Sequence, residues 1–220
     1  VEEGLGLAGW QGAVSATDAN RFALRWARAL TGRSKLLVFN GCYHGTVDDV
    51  FVDLIAGVPT QRDSLLGQVY PLTKHTAVIE FNDLAALEAV LKTETIACLL
   101  AEPVMTNVGM VLPQTGYWQQ AQVLCQQYGT LLIMDETHTI STGLGGYAVQ
   151  HGLQADMLVL GKPLGGGMPC AVYGMSADIA KRAEQVKEQA PAGHSGIGTT
   201  LTANALAFAA MRANLEQVMT

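Results

Sequence analysis

Short apolar runs bounded by turn residues recur along the chain and predict buried strands. The runs lie at 35–39, 95–101, 130–134, 157–160 and 171–175. Apolar residues at helical spacing predict helices over 18–30, 84–91, 117–128, 177–187 and 205–218. Strands that alternate with helices predict an α/β fold with a mostly parallel, doubly wound sheet and helices on both faces. The stretch 57–75 has no clear period and is predicted to be a surface excursion.

Composition narrows the class of protein. The chain has 220 residues, 49% hydrophobic and 15% charged, which suits one domain with a sizeable core. Thirteen basic residues stand against 19 acidic ones, for a net charge of −6, and no dense basic run is present. Nucleic-acid binding is therefore not expected.

Cysteine spacing and hydropathy add expectations about the compartment. The four cysteines lie far apart, with no C-x-x-C pair among Cys42, Cys98, Cys125 and Cys170. This spacing argues against a zinc site, so no metal is expected, and it favours a reduced, cytoplasmic protein. No signal peptide opens the chain and no apolar stretch reaches the roughly 18 residues of a membrane span. A soluble protein without a membrane partner is predicted.

Lys162 is the first candidate for chemistry. It follows the apolar run Met157–Leu160 and precedes Pro163 and a run of three glycines, so it is expected to leave a buried strand poorly solvated. Desolvation disfavours the ammonium form and leaves neutral amine that attacks an aldehyde, as a Schiff-base lysine must. The plain alternative is a lysine that ends a strand and reaches water.

Asp135 gives Lys162 a partner. It closes the apolar run 131–134, and its distance from Lys162 along the chain suits one strand–helix–strand crossover. Both residues would then meet at the carboxyl edge of the sheet, where α/β proteins bind ligands. Pyridoxal phosphate needs this pair, a lysine for the imine and an acid beside the ring nitrogen. The plain alternative for Asp135 is a strand-end acid that caps the next helix.

The same run also resembles the magnesium-binding strand of a P-loop ATPase. That class requires a G-x-x-x-x-G-K-[ST] loop. The one Gly-Lys pair is Gly161-Lys162, which has Asp156 where the first glycine is needed and Pro163 in place of Ser or Thr. The ATPase interpretation therefore fails.

Four further clusters are candidates for the site, and three of them allow two interpretations. Ser15-Ala16-Thr17-Asp18 precedes the first helix and suits either an anion site or an ordinary N-cap. Tyr43 in Tyr43-His44-Gly45 either lies on a cofactor ring or is a buried tyrosine with a satisfied hydroxyl. Glu102 ends its strand as Asp135 does. Gly198-Thr199-Thr200 offers hydroxyls to a phosphate or forms a polar turn.

Together these clusters resemble the class III pyridoxal-phosphate aminotransferases, which have the fold-type-I architecture. The matching segments follow the family order: Ser15-Ala16-Thr17-Asp18-Ala19-Asn20, Thr31-Gly32-Arg33, Tyr43-His44-Gly45, Glu102-Pro103-Val104, Asp135-Glu136, Gly161-Lys162 with the glycine run, and Thr200-Leu201-Thr202-Ala203-Asn204. Gly41-Cys42 before Tyr43, and Asn107 after Glu102, resemble the glutamate-1-semialdehyde aminomutase branch.

The resemblance implies a role for each matched residue. Lys162 and Asp135 would be catalytic, with Lys162 holding pyridoxal 5'-phosphate and moving a proton while Asp135 holds the ring nitrogen. Tyr43 and Thr137 would pack on opposite ring faces. Thr200 would contact the phosphate of the neighbouring subunit, so a homodimer is implied. The implied cofactor-binding residues are Ser15, Ala16, Thr17, Tyr43, His44, Glu102, Asp135, Thr137, Lys162 and Thr200.

The chain also departs from the family pattern. Ala16 replaces a usual glycine, Thr137 replaces a usual valine, and Ile140-Ser141-Thr142-Gly143-Leu144 replaces a frequent Gly-Phe-Arg. His138 either faces the substrate or hydrogen-bonds locally. Family members are roughly twice as long, so residues 1–220 are expected to be the cofactor-binding large domain without the N-terminal segment and small C-terminal domain.

The expected activity is amino-group transfer between an amino donor and a keto or aldehyde acceptor. Two alternatives stay open. One is an intramolecular aminomutase of the glutamate-1-semialdehyde type, which needs no external donor and acceptor pair. The other is a non-catalytic partner subunit that keeps the fold, against which the paired Lys162 and Asp135 count.

Overall fold

The computed structural model describes residues 7–219 and forms an α/β fold. The strands are β1 Leu7–Ala13, β2 Lys35–Phe39, β3 Val52–Ile55, β4 Val58–Gln61, β5 Thr76–Ile79, β6 Ile96–Ala101, β7 Leu131–Asp135, β8 Met157–Leu160 and β9 Ala171–Ser176. The helices are α1 Ala16–Thr31, α2 Leu84–Leu91, α3 Tyr117–Gln127, α4 Gly146–Gln150, α5 Ala177–Gln189 and α6 Ala205–Gln217. Every strand and helix that the periodicity predicts is present.

Seven strands form the main sheet in the order β1-β9-β8-β7-β6-β2-β5. The neighbours from β5 to β8 run parallel, whereas β9 is antiparallel to both β8 and β1. The predicted mostly parallel sheet is therefore confirmed. The parallel strands β2, β6, β7 and β8 end at one edge, which brings the segments that follow them together.

The central strands are covered on both faces. All six residues of β6, all five of β7 and all four of β8 are buried. Because successive side chains of a strand point to opposite faces, complete burial requires packed elements on each side. Helix α1 lies against β6, β8 and β9, while α2 and α3 pack on each other and contact β5 and β7 respectively.

Helix α1 forms as its sequence predicts. Ser15 is its N-cap, with a side-chain oxygen that accepts from the amide of Asp18, and Gly32 ends it in the left-handed conformation at φ 69°. Phe22, Ala23 and Ala27 are buried on the inner face. The position of α1 across the sheet places its N-terminus beside the carboxyl edge of β8.

The stretch 57–75, predicted to be a surface excursion, begins with a strand that its sequence did not indicate. Strand β4 pairs antiparallel with β3 in a separate two-stranded sheet, and Ala56 and Gly57 connect them with φ of 50° and 78°. Two positive φ values are typical of a tight hairpin turn. The hairpin was missed because its residues are largely exposed and carry little apolar periodicity. Leu66 and Val69 are strongly exposed, whereas Leu72, at the start of the 3-10 helix Leu72–Lys74, is fully buried.

Two observations bear on the sequence-based expectations about the compartment. Within residues 7–219, no helix combines the length and apolar character needed to cross a membrane. Cys42, Cys98, Cys125 and Cys170 are all buried as free thiols.

Candidate active site

The carboxyl edge of the sheet opens into a cavity of about 390 Å³. It collects side chains from segments that follow different strands. Eight of the ten residues that the sequence singled out line it: Ser15, Ala16, Thr17, Tyr43, Glu102, Asp135, Thr137 and Lys162. The other two are His44, which lies behind Asp135, and Thr200, which does not line the cavity.

Lys162 occupies a strained position directly after β8. Its φ is 39°, in the left-handed region that non-glycine residues rarely adopt. The preceding Gly161 packs so closely that a Cβ there would lie 2.9 Å from the Cβ of Ala16. Such strain persists where the surrounding structure fixes the backbone, often at functional sites.

The solvation of Lys162 differs from the prediction. The sequence predicted a poorly solvated lysine, but Lys162 is exposed in this structure. The segment beside it, Gly166 to Pro169, is itself exposed and supplies little side-chain cover. The amine therefore opens into the cavity and to solvent.

Asp135 is buried at the end of β7 with both oxygens hydrogen-bonded. Oδ2 accepts from Asn20 Nδ2 and pairs with His44 Nδ1, each at 2.9 Å. Oδ1 accepts from the backbone amide and hydroxyl of Thr137. Burial by itself raises the pKa of Asp135, but the bonds from His44, Thr137 and Asn20 outweigh it and hold the pKa below its usual value. The carboxyl group of Asp135 therefore stays ionised at one wall of the cavity.

His44 supports that charge from behind. Its side chain is fully buried, and Nε2 has no hydrogen-bond partner among the described residues. Burial lowers the pKa of His44, whereas Cys42 and the Asp135 carboxylate raise it, and the net pKa is raised to about 10. His44 and Asp135 therefore form a buried ion pair. The sequence predicted that His44 binds cofactor, and its observed contact is with Asp135.

The start of α1 forms the N-cap that one interpretation of its sequence predicts, and the anion site of the other interpretation stays a prediction. Ser15 is an N-cap whose hydroxyl also donates to Asp18 Oδ2, so this hydroxyl is already engaged. Ala16 and Thr17 are the first helical residues, and their amides lack an intrahelical acceptor by position. Because these amides lie at the positive end of the helix beside the cavity, they suit a phosphate.

Gly45 allows the Tyr43 segment to pack closely against the start of α1. Its φ is 76°, and a Cβ there would lie 3.0 Å from the Cβ and 3.1 Å from the Cα of Thr17. The hydroxyl of Thr17 accepts from the amide of Thr46 at 3.1 Å. Tyr43 consequently lies at the cavity as a residue that is 42% exposed, available to a planar ligand.

Glu102 follows β6 and holds the opposite wall. Its carboxylate accepts from the amide of Tyr43, from Thr106 and from Asn107 Nδ2. The hydroxyl of Thr106 also contacts His138 Nδ1. His138 lines the cavity as well; its local hydrogen bond is present, and its contact with substrate stays a prediction.

Sequence reasoning missed several contributors. Asn20 was quoted in a motif without a role, although it is a polar residue on the buried side of α1 that binds Asp135. Thr106 has no periodic signal because it lies in a short 3-10 turn. Asn107 and Glu136 belong to the matched motifs, but no contact was predicted for either. Burial raises the pKa of Glu136, which accepts from the amides of Tyr147 and Ala148 at the start of α4.

Thr200 lies apart from the cavity in an exposed turn before α6. The turn ends at Asn204, whose side chain caps α6 by accepting from the amide of Ala207. The contact of Thr200 with the cofactor of a neighbouring subunit stays a prediction.

The strand-end lysine, the buried acid and the free amides at the start of α1 agree with the result of a comparison with known protein families. The model of class III aminotransferases matches residues 10–220. The chain belongs to the class III aminotransferase family. The resemblance inferred from the motifs is therefore confirmed.

Individual relatives refine the comparison. A glutamate-1-semialdehyde 2,1-aminomutase of an Anaeromyxobacter species is 39% identical over 92% of this chain and 47% of its own length. The crystal structure of a glutamate-1-semialdehyde aminomutase from Pseudomonas aeruginosa matches the whole chain with a TM-score of 0.96 and 46% identity, over 49% of that chain. A variant of that enzyme in complex with PMP matches with a TM-score of 0.95, 45% identity and the same coverage.

These matches fix the fold and the cofactor. The chain has the fold-type-I architecture of pyridoxal-phosphate enzymes, and the family and the PMP complex indicate pyridoxal phosphate as the cofactor. The chain spans about half the length of the relatives it matches.

Proposed function

We propose that residues 1–220 form the cofactor-binding large domain of an enzyme that transfers an amino group by means of pyridoxal 5'-phosphate. The observation that carries the proposal is the placement of Lys162 and buried Asp135 on one cavity beside the start of α1. The cofactor, when bound, supplies an aldehyde that captures amines and a ring that withdraws electrons.

The residues around the cavity have separate roles. The amides of Ala16 and Thr17 bind the phosphate, and the exposed ring of Tyr43 packs on the flat face of the cofactor. With the cofactor bound, the amine of Lys162 would hold its aldehyde carbon, with water as the leaving group, and would then carry the proton that amino transfer moves. Asp135 faces the ring nitrogen and favours its protonated form, since His44 keeps this carboxylate ionised.

The specific reaction we propose is the intramolecular aminomutation of a semialdehyde. Its support is the 38–40% identity of this chain to proteins named glutamate-1-semialdehyde 2,1-aminomutase. A two-substrate aminotransferase is the second candidate, because the family model that matches residues 10–220 is that of the class III aminotransferases.

We further propose that the working unit is a homodimer in which Thr200 completes the neighbouring site. The exposed position of Thr200, away from the cavity of its own chain, supports this arrangement. An isologous pair would then contain two equivalent composite sites.

The proposal is tested by adding pyridoxal 5'-phosphate to the purified protein, reducing with borohydride and mapping the labelled peptide. The label is expected on Lys162 and on no other lysine. A label on Lys35 or Lys74 would refute the assignment. Amino transfer is then assayed with glutamate-1-semialdehyde alone, and with a separate amino donor and keto acceptor. Turnover of the semialdehyde alone supports the mutase, a requirement for both partners supports the aminotransferase, and labelling without turnover in the full-length protein supports the non-catalytic alternative.

A further inference from the structure

One wall of the cavity carries a chain of three side chains that the proposed function leaves without a task. Glu102 follows β6, Thr106 lies in the next turn, and His138 lies beyond β7. The hydroxyl of Thr106 lies 2.7 Å from Glu102 Oε2 and also contacts His138 Nδ1. Glu102 and His138 both line the cavity.

The direction of these hydrogen bonds follows from the donors available. Glu102 is 4% exposed and receives bonds from the amides of Tyr43 and Thr106 and from Asn107 Nδ2, as an acceptor-only carboxylate does. The single hydroxyl proton of Thr106 therefore goes to Glu102. Thr106 Oγ1 is left with lone pairs alone for His138, so Nδ1 of His138 must donate.

This ordering fixes the tautomer of His138. With the proton on Nδ1, the neutral ring has a bare lone pair on Nε2. No partner for Nε2 is found among residues 7–219. Because His138 lines the cavity, that lone pair is available to a bound molecule.

We propose that Glu102 and Thr106 are positioning residues that hold His138 as the Nδ1–H tautomer, and that His138 Nε2 accepts a hydrogen bond from an N–H or O–H group of the ligand in the cavity. The site then selects ligands that carry a donor at this wall. The identity of that ligand rests on the proposed function, whereas the tautomer does not.

The tautomer is measured by two-bond ¹H–¹⁵N correlation NMR of the chain labelled with ¹⁵N-histidine. The five histidines are assigned by comparison with single variants, among them His138→Gln. We expect His138 to show the Nδ1–H pattern. In Thr106→Val, which keeps the shape and removes the hydroxyl, the ratio of Nδ1–H to Nε2–H should fall about tenfold, the factor that an ordinary hydrogen bond supplies. Thr106→Ser is the matched control and should retain the parent ratio.

Ligand contact is tested in the same sample by adding pyridoxamine 5'-phosphate. The Nε2 resonance of His138 should shift on binding, while those of His151 and His194 stay in place. Thermal melting confirms that each variant is folded. An Nε2–H pattern in the parent, or an unchanged ratio in folded Thr106→Val, overturns the proposal.

Binding without a shift at Nε2 also overturns the proposal and leaves the proposed function standing. If pyridoxamine 5'-phosphate does not bind, the proposed function is contradicted, and so is the ligand contact of His138. In that case only the tautomer ratios test whether Glu102 and Thr106 are positioning residues.

Discussion

The close contact between Gly45 and Thr17 predicts that Gly45→Ala destabilises the fold and damages the cavity together. The left-handed φ of 76° at Gly45 costs an L-residue about 1–2 kcal/mol. The new methyl would also lie 3.0 Å from Thr17 Cβ and 3.1 Å from Thr17 Cα, nearer still to its hydroxyl, so α1 or the Tyr43 segment must shift. Overpacking of this kind adds roughly 1–3 kcal/mol. We expect a total loss of about 2–5 kcal/mol from the free energy of unfolding.

Gly32→Ala provides the matched control. Gly32 has a similar φ of 69°, but a Cβ there would have no atom within 4 Å. This variant should therefore lose only the stability that the left-handed backbone conformation costs an L-residue. Urea unfolding followed by circular dichroism gives both values, with an unchanged m-value as the check on two-state behaviour. The difference between the two variants isolates the steric term.

The same pair of variants tests the link to function. Pyridoxamine 5'-phosphate stabilises any form that binds it in proportion to the logarithm of its concentration over Kd. It should stabilise Gly45→Ala less than Gly32→Ala, because only the former displaces Thr17 and Tyr43. If Gly45→Ala lost no more stability than Gly32→Ala and bound the ligand equally, the argument from close packing would be refuted.

Four further predictions follow from the buried pair and the composite site. Asp135→Asn should retain the cofactor and lose most amino transfer in single-turnover proton abstraction, and an unchanged rate would contradict the role of Asp135. The pKa of His44 is raised from 6.5 to about 10, so its stabilising contribution is complete below pH 6.5 and is lost as pH rises toward 10. Urea unfolding should therefore show that the free energy of unfolding falls less at alkaline pH in His44→Gln than in the parent. The pKa of Asp135 is lowered from 3.8, so its contribution is present above that pH and is lost on acidification. In the full-length protein, Thr200→Asp dimers and Lys162→Ala dimers should each be inactive. Mixing the two with subunit exchange should restore activity, because one site of each hybrid dimer is intact. Exchange without activity argues against the shared site.

Local sequence patterns were sufficient to predict the strands and helices whose apolar residues recur with a clear period. The apolar runs of β2, β6, β7, β8 and β9 were readable because these strands lie at the centre of the sheet or beside it and are buried. β1 and β5 were not predicted, since they are edge strands that need less apolar sequence, and glycines interrupt β1. The β3–β4 hairpin was missed for a similar reason, because it lies outside the main sheet.

The sequence alone also predicted where the chemistry lies. A residue that ends a buried parallel strand must emerge at the carboxyl edge, so Asp135 and Lys162 were placed together by topology without any measured distance. The order of the motifs then identified the class III family, which the family match confirms.

Only the tertiary structure decided which side chains touch. Asn20 reaches Asp135 across 115 positions, and Thr106 meets His138 across 32, distances over which no local pattern carries information. The exposure of Lys162 and the burial of His44 depend on how the neighbouring segments pack, which is set by the whole fold. Periodicity records the local choice between strand and helix, whereas contacts and solvation depend on residues that the chain brings together only when it folds.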